Sequence, residues 1–453
     1  MLQSLRITGI RLQVIISLCL YLGQIISGYS GGWSGPCLPK LRDLDQSPLP
    51  YLLTEAQLSL VATFIYLGAI AGPFIITWLS NTRGRKPCLI VSGVISLLAY
   101  VFMGISVNLA MLYVSRFLLG VAGGAINVIN LVYIGEIASP KIRGILLTVI
   151  CIFTTLGLML VFAVGPYVSY HGTVYVGVAI SIVYIFCLFF IPETPIFYAL
   201  QGRDDDLKKV LQDLGRLEEV DKMLKIKNDL NETNTKKEWV ELFSLKSNRK
   251  ALFIVVTINV LQHCSGVLAV MFFSASIFEM AGSSIESNIA MIIIICFQIL
   301  GSIITPFFIE STGRRRILLM STAICSFSMF TLGLYFYLDR IESSVVNNIK
   351  WLPLVILIVF YIGYDSGFGN IPNAIIGEMF TTSVRSKGST ITLTTTYLCG
   401  FMVTTAFGAL LEIVGGHAAF WFFSFTCACA FLFTVFFIPE TKGKTLLQIQ
   451  EDL

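Results

Sequence analysis

The sequence predicts an all-α membrane protein, with twelve transmembrane helices arranged as two related halves. Two observations carry that prediction. Hydrophobic residues make up 55% of the 453 and charged residues 13%, about half the charged share usual in soluble domains. Apolar runs long enough to cross a bilayer recur from one end of the chain to the other. The second observation is an internal repeat. Phe189-Phe190-Ile191-Pro192-Glu193-Thr194 returns unchanged as Phe436-Phe437-Ile438-Pro439-Glu440-Thr441. Asn81-Thr82-Arg83-Gly84-Arg85-Lys86 is answered by Glu310-Ser311-Thr312-Gly313-Arg314-Arg315. Gly135-Glu136, with Arg143 beyond it, is answered by Gly377-Glu378 with Arg385. Three pairs in one order mark a duplicated unit. The runs are continuous rather than alternating, which excludes a β-barrel.

The expected spans lie at 11–30, 57–79, 88–107, 110–134, 145–165, 173–191, 251–279, 288–310, 316–338, 351–377, 388–411 and 418–438. They divide the chain into a first bundle over 1–191, a hydrophilic linker over 192–250, a second bundle over 251–439 and a tail over 440–453. Of 31 Lys and Arg, all but Lys40, Arg42, Arg116, Arg340 and Lys350 fall before the first span, in the even-to-odd loops or after the last. The positive-inside rule then places both termini and the linker in the cytoplasm. The net charge of +4 reports that topology and not a nucleic-acid partner. The first span lacks a small-residue cleavage site and is expected to stay as a helix. Most of the 11 cysteines lie in apolar runs, without metal-ligand spacing. The sequon Asn231-Glu232-Thr233 falls on the cytoplasmic side and is expected to be unused.

In chain order, span 1 ends in a stretch of small residues, Gly28 to Pro36, which either allows close helix packing or unwinds beside a substrate path. Gly84-Arg85-Lys86 and its copy at Gly313 place a turn and cations where helices meet the cytoplasmic surface. Span 4 carries Arg116 and Glu136 at its two ends. Glu136 with Arg143, and Glu378 with Arg385, are expected to form inter-helix ion pairs that hold one conformation and part in the other. The linker has apolar residues at helical spacing (Val210, Leu211, Leu214, Leu217), so short amphipathic helices are expected.

Span 7 is the most polar of the set, with Asn259, Gln262, His263 and Ser265 ahead of Phe272-Phe273-Ser274. Uncharged hydrogen-bonding groups beside aromatic faces suit a neutral polyhydroxylated ligand, although a helix–helix hydrogen bond accounts for any one of them equally well. Gln298 in span 8 joins the candidates. Span 10 carries Gly363-Tyr364-Asp365-Ser366-Gly367-Phe368-Gly369-Asn370-Ile371-Pro372-Asn373. That density of Gly and Pro is expected to break the helix at midmembrane, where transporters hold substrate. Asp365 is the acid nearest the middle of a span. Span 11 adds Thr392 and Thr394-Thr395-Thr396-Tyr397.

Together these motifs resemble the sugar-porter branch of the major facilitator superfamily. The likeness runs through Asn81 to Lys86, Arg116-Phe117, Tyr133 to Glu136 with Arg143-Gly144, Pro192 to Pro195, Gln262 with Ser265-Gly266, Glu310 with Gly313 to Arg315, and Pro439 to Lys444. Gly32 to Pro36 and Gln298 are further similar to insect facilitated trehalose transporters. The resemblance implies two pseudo-symmetric six-helix bundles in the major facilitator fold, a central sugar site and alternating access. It implies a substrate site at Gln262, His263, Phe273, Gln298, Asn373, Thr396 and Tyr397. It also implies a cytoplasmic gate of Arg85, Arg116, Glu136, Arg143, Glu310, Arg314, Arg315, Glu378 and Arg385. Several positions depart from the family pattern. His263 stands for a second glutamine, Leu268 for a sugar-contacting asparagine, Cys151 for a glutamine in span 5, Asn373 for a tryptophan, and Thr396-Tyr397 for an Asn-Trp pair. Proton-coupled relatives carry an acid in span 1, and Gln24 to Ser30 holds none.

The expectation is therefore a plasma-membrane uniporter of a small neutral sugar, trehalose first and hexoses next. No enzyme activity, cofactor, metal, nucleic acid or obligate protein partner is expected; the partners are the sugar and the lipid bilayer. Two alternatives stay open. One is a proton-coupled or non-sugar carrier using Asp365 and His263, and the other is a non-transporting nutrient sensor.

Overall fold

The structure, a computed structural model, describes residues 8–220, 235–282, 285–380 and 384–440. The described residues are helical wherever they are regular. The first half forms α1 (Ile10–Gly32), α2 (Ser34–Leu41), α3 (Glu55–Arg83), α4 (Arg85–Gly104), α5 (Leu109–Ile137), α6 (Pro140–Val164) and α7 (Tyr170–Phe190). The linker forms α8 (Pro195–Leu200), α9 (Asp204–Asp213), a 3-10 turn at Leu217–Glu219 and α10 (Thr235–Ser244). The second half forms α11 (Lys246–His263), α12 (Val267–Phe272), α13 (Ser274–Met280), α14 (Ser287–Thr312), α15 (Arg314–Arg340), α16 (Leu352–Gly363), α17 (Ile371–Met379), α18 (Arg385–Ile413) and α19 (Gly416–Phe437).

Among the described residues, 10 helices are long and apolar enough to cross a membrane. The remaining two expected spans, 288–310 and 388–411, fall on α14 and α18, of 26 and 29 residues. At 1.5 Å rise per residue both exceed the thickness of a bilayer core. Local chemistry sets several ends. Asn108 accepts from Met111 N at the start of α5, Ser169 accepts from Gly172 N at the start of α7, and Pro140 opens α6 where no amide proton is needed.

The chain divides into two compact units. The first comprises Met1–Trp33, Asp43–Leu52 and Phe64–Thr233; the second comprises Ser34–Arg42, Leu53–Thr63 and Asn234–Leu453. The division falls inside the expected linker, and α2 and the start of α3 join the second unit. Hydrogen bonds within that unit account for this. Arg42 Nε and Nη2 grip Glu55 at 2.8 and 2.6 Å, Arg42 Nη1 reaches Ser276 Oγ at 2.9 Å, and the hydroxyls of Thr63 and Thr405 lie 2.9 Å apart.

In the first unit α1 packs on α6, and α4 on α5 and α7. The small residues closing span 1 serve packing: a Cβ on Gly28 would lie 1.9 Å from the Thr154 carbonyl oxygen, and the helix runs on to Gly32 without unwinding. The linker is docked there too. Leu207 and Leu211 are buried with Ala199, Gln13 Nε2 donates to the Leu214 carbonyl at 2.8 Å, and Arg216 Nη1 donates to the Glu136 carbonyl at 2.6 Å. Val210 and Leu214 are buried with them, but Leu217 is exposed. The sequon at Asn231 lies outside the described residues.

Candidate functional site

Two broken helices of the second unit shape the site. Span 7, expected as one helix, is interrupted twice. α11 ends at His263, Gly266 adopts φ 89°, and α12 starts at Val267; a second interruption at Phe273 precedes α13. Only glycine takes that φ without strain, and a Cβ there would also meet the Phe423 ring at 2.4 Å. Span 10 breaks where its sequence predicts. α16 passes into a π-helical turn at Tyr364–Phe368, and α17 resumes at Ile371 with Pro372 in its first turn. Widened turns of this kind release backbone carbonyls and favour functional sites.

Gln262 joins the two breaks. It is buried, and its Nε2 donates to the carbonyls of Phe368 at 2.8 Å and Gly369 at 2.7 Å. The Phe368 oxygen is the one that Pro372, four residues on, cannot serve because it has no amide proton. Two further bonds fix the same junction: Asn259 Nδ2 reaches the Pro372 carbonyl at 3.3 Å, and Tyr361 OH reaches the Val267 carbonyl at 3.1 Å. Ser321 on α15 staples the turn from behind, donating to the Gly363 carbonyl at 2.6 Å and accepting from Phe368 N at 2.7 Å. With its amine nitrogen so engaged, Gln262 leaves Oε1 without a hydrogen-bond partner, as are Asn259 Oδ1 and Ser265 Oγ nearby in the chain. Buried polar atoms of this kind are costly unless a ligand or water meets them. All three are uncharged, and the hydroxyl both donates and accepts.

The other expected substrate residues divide. Gln298 hydrogen-bonds the carboxyl of Asp365, which is buried in the π-turn, and keeps its own Oε1 unpartnered. Phe273 is buried in an aromatic group with Phe407, ring centroids 5.5 Å apart. His263 is half-buried, with Nδ1 3.2 Å from the Asn259 carbonyl. Thr396 is turned to its own helix, donating to the Thr392 carbonyl at 2.6 Å, and Tyr397 beside it is half-buried. Asn373 is exposed, one helical turn from the polar junction.

The end rich in basic residues is built alike in both units. Gly84 and Gly313 take φ 102° and 97°, turning the chain so that the next helix starts against a carboxylate. Glu193 accepts from Arg85 N at 3.1 Å and Lys86 N at 3.0 Å, and Glu440 accepts from Arg314 N at 3.0 Å and Arg315 N at 3.2 Å. Both carboxylates thus cap a helix N-terminus from a distant part of the chain. The cations point the other way. Lys86 Nζ donates to the Phe189 and Ile191 carbonyls, and Arg315 Nη2 to the Val435 carbonyl, occupying the last turns of α7 and α19. Burial pushes the Glu193 carboxyl up from its ordinary value, against the lowering effect of those amide donors.

Two expectations about the gate need correction. Glu136 pairs with Arg85, at 2.9 Å and with both side chains buried, and not with Arg143. Arg143 lies inside α6, and its Nη2 donates to the Ala138 carbonyl at 3.0 Å. The helix that Pro140 starts early takes up 140–144 of the loop expected over 135–144. Arg116 does not belong to this end at all. It is 20 residues before Glu136 in one unbroken helix, hence about 30 Å away. Its Nη1 donates to the Ser30 carbonyl at 2.6 Å, and its guanidinium lies over the Trp33 ring, 5.3 Å from the centroid. The side chains of Glu310, Glu378 and Arg385 lie outside the described residues.

Several contributors are not in the expected set. Glu193 and Glu440 were marked by the repeat itself, since the hexapeptide is unchanged. Arg216 and the Arg42–Glu55–Ser276 cluster have no signal beyond charge in a loop, and Ser321 has none.

A family model described as "Sugar (and other) transporter" matches residues 16–453. The facilitated trehalose transporter Tret1 of Aedes aegypti is 30% identical over 446 residues, covering 97% of this chain and 55% of that protein. Tret1 of Culex quinquefasciatus is 30% identical over 446 residues, covering 97% of this chain and 86% of that protein. The chain spans about half the length of several of the curated relatives it matches, Tret1 of Aedes aegypti and of Anopheles gambiae among them. Among solved structures, the inward-open xylose transporter XylE from E. coli superposes with TM-score 0.81 at 18% identity, over 97% of this chain and 99% of that one. At that identity the likeness concerns the fold. The family and fold expected from the motifs are thereby borne out.

Proposed function

This chain belongs to the sugar (and other) transporter family, and from that premise we propose that it moves a small neutral sugar down its gradient by alternating access. It is a multi-pass membrane protein, and its homologues are transporters and not enzymes. Trehalose is the first candidate and hexoses the next. The observation that carries this reading is the junction at Gln262, where two interrupted spans meet and uncharged polar atoms remain without partners. Sugar hydroxyls donate and accept and so match such atoms, while Phe273 offers an apolar face. The name shared by the relatives favours trehalose over other sugars. The distribution of Lys and Arg supports an orientation with both termini cytoplasmic, and residence in the plasma membrane is part of the proposal. The Arg85–Glu136 pair serves as a gate contact that parts when the cytoplasmic side opens.

The test is uptake of labelled trehalose and glucose into proteoliposomes holding the full chain, with and without an imposed pH gradient. Saturable uptake indifferent to the gradient is the expected result. Uptake that requires the gradient favours a second reading, proton coupling, for which the buried Asp365 held by Gln298 is the motivating observation. In that case Asp365→Asn abolishes the dependence on pH. Neither sugar moving contradicts the proposal.

A further inference from the structure

Cys264 and Cys399 stand sulfur to sulfur at 3.4 Å, joining the break in span 7 to α18. Both are free and half-buried. Their surroundings hold them in place. Cys264 ends α11, its N–H donating to the Val260 carbonyl at 3.0 Å, and its own carbonyl accepts from Thr426 Oγ1 on α19 at 2.7 Å. The Cys399 thiol also points at the Val260 carbonyl, at 3.9 Å. Three helices therefore converge on one dithiol. Cys264 is two residues from Gln262 and two from the left-handed Gly266, so it sits in the hinge that separates α11 from α12.

We propose that Cys264 and Cys399 form a dithiol modification site, which a peroxide closes to a disulfide that clamps this hinge to α18. A disulfide needs sulfurs about 2.05 Å apart, so the pair must close by a little over an ångström from its present contact at 3.4 Å. The chemistry balances with hydrogen peroxide as the two-electron oxidant. One thiol gives up its proton and attacks the peroxide, breaking the O–O bond to leave a sulfenic acid and water. The second sulfur attacks the sulfenic sulfur, forming the S–S bond and expelling hydroxide, which takes the second thiol's proton as water. Two thiols and one peroxide become one disulfide and two waters. The bond fixes Cys264 to α18 and removes the freedom of the break to flex. The effect on uptake rests on the transport reading above; the formation of the bond does not.

The test uses the full chain, purified reduced and treated with hydrogen peroxide in small excess, then alkylated and digested for peptide mapping by mass spectrometry. The expected product is a crosslinked pair of peptides holding Cys264 and Cys399, absent after dithiothreitol and absent in Cys264→Ser and in Cys399→Ser. Mapping is required because Cys19 has Cys187 as a hydrogen-bonding neighbour, and a crosslink there is a different product. Both Cys264 and Cys399 recovered as alkylated peptides after oxidation would overturn the site. In proteoliposomes the oxidised protein is expected to lose sugar uptake, to regain it with reductant, and to be insensitive in either Ser variant. Crosslinked protein transporting as the reduced form does would overturn the clamp. Reduced protein moving no sugar would count against the transport reading alone, with the peptide map still deciding the site.

Discussion

Spans 1 and 4 of the first half run unbroken over Ile10–Gly32 and Leu109–Ile137, while spans 7 and 10, their counterparts by repeat order, are both interrupted. At the basic end the halves agree almost atom for atom. Gly84 and Gly313 turn the same way, and Glu193 and Glu440 cap the helices that follow. The duplicated unit has therefore kept its end and diverged in its middle. Helix breaks at membrane depth survive only where other groups satisfy the freed backbone. In the second half Gln262, Ser321 and Tyr361 do this. The first half invests in close packing, as at Gly28 against Thr154. On the function proposed above, one half acts as frame and the other as site.

The largest effect expected from breaking this contrast is at the frame. Arg85→Met strands the buried carboxylate of Glu136 and is expected to cost about 3–5 kcal/mol of stability, read as a fall in the thermal unfolding midpoint in detergent. Adding Glu136→Leu should recover most of that loss, because an apolar pair of similar volume carries no desolvation penalty. A double variant no better than the single one would mean that the pair does more than neutralise its own charge.

The next effect concerns the site. Gln262→Leu removes both bonds to the π-turn and the spare acceptor. With roughly 1 kcal/mol for each hydrogen bond lost, sugar uptake should fall by at least about tenfold. Gln24→Leu is the matching probe in span 1, where Gln24 Oε1 accepts from Thr154 Oγ1 at 3.0 Å. It should lower uptake less. Equal losses would erase the distinction between frame and site.

The capping carboxylates sharpen the comparison from the other side. Glu193→Gln and Glu440→Gln each leave one acceptor oxygen for the two amides of the capped helix, and at Glu193 also for Thr194 N, so each should destabilise by about 1–2 kcal/mol. The two losses should be alike, since the bonds differ by only a tenth or two of an ångström. The smallest effect is expected of Arg42→Ala. Its pair with Glu55 is about a third exposed, and such pairs contribute about 0–1 kcal/mol. What should remain measurable is a salt-sensitive change in thiol-reagent access at Cys37, which is buried in α2 five residues before Arg42.

Much of the frame was legible in the sequence because it is written in local chemistry. Long apolar runs specify spans, and the unchanged hexapeptide marked Glu193 and Glu440 before any contact was known. The break in span 10 was legible for the same reason, Gly and Pro being local determinants. The break in span 7 was not, because one glycine at 266 is an ordinary occurrence in a span, and the Phe423 ring that leaves no room for a Cβ there is distant in sequence. Pairing was the least legible. Glu136 has Arg143 close by in sequence, yet the carboxylate's cationic partner is Arg85, 51 residues earlier, at the start of the preceding helix. Arg116 misled by being a charge on the same helix as Glu136, and its position along that helix separates them. Thr396 and Asn373 are polar types at family positions, and hydrogen-bond type says nothing of where a side chain turns.

The central claim, that the broken spans of the second half hold the sugar, is tested most directly by binding. Titration of purified wild type, Gln262→Leu and Gln24→Leu with trehalose, followed by calorimetry, compares the two halves without requiring transport. The account predicts saturable binding by wild type and Gln24→Leu, and binding weakened at least about tenfold in Gln262→Leu. Gln262→Leu binding as wild type does, with Gln24→Leu impaired, would contradict it.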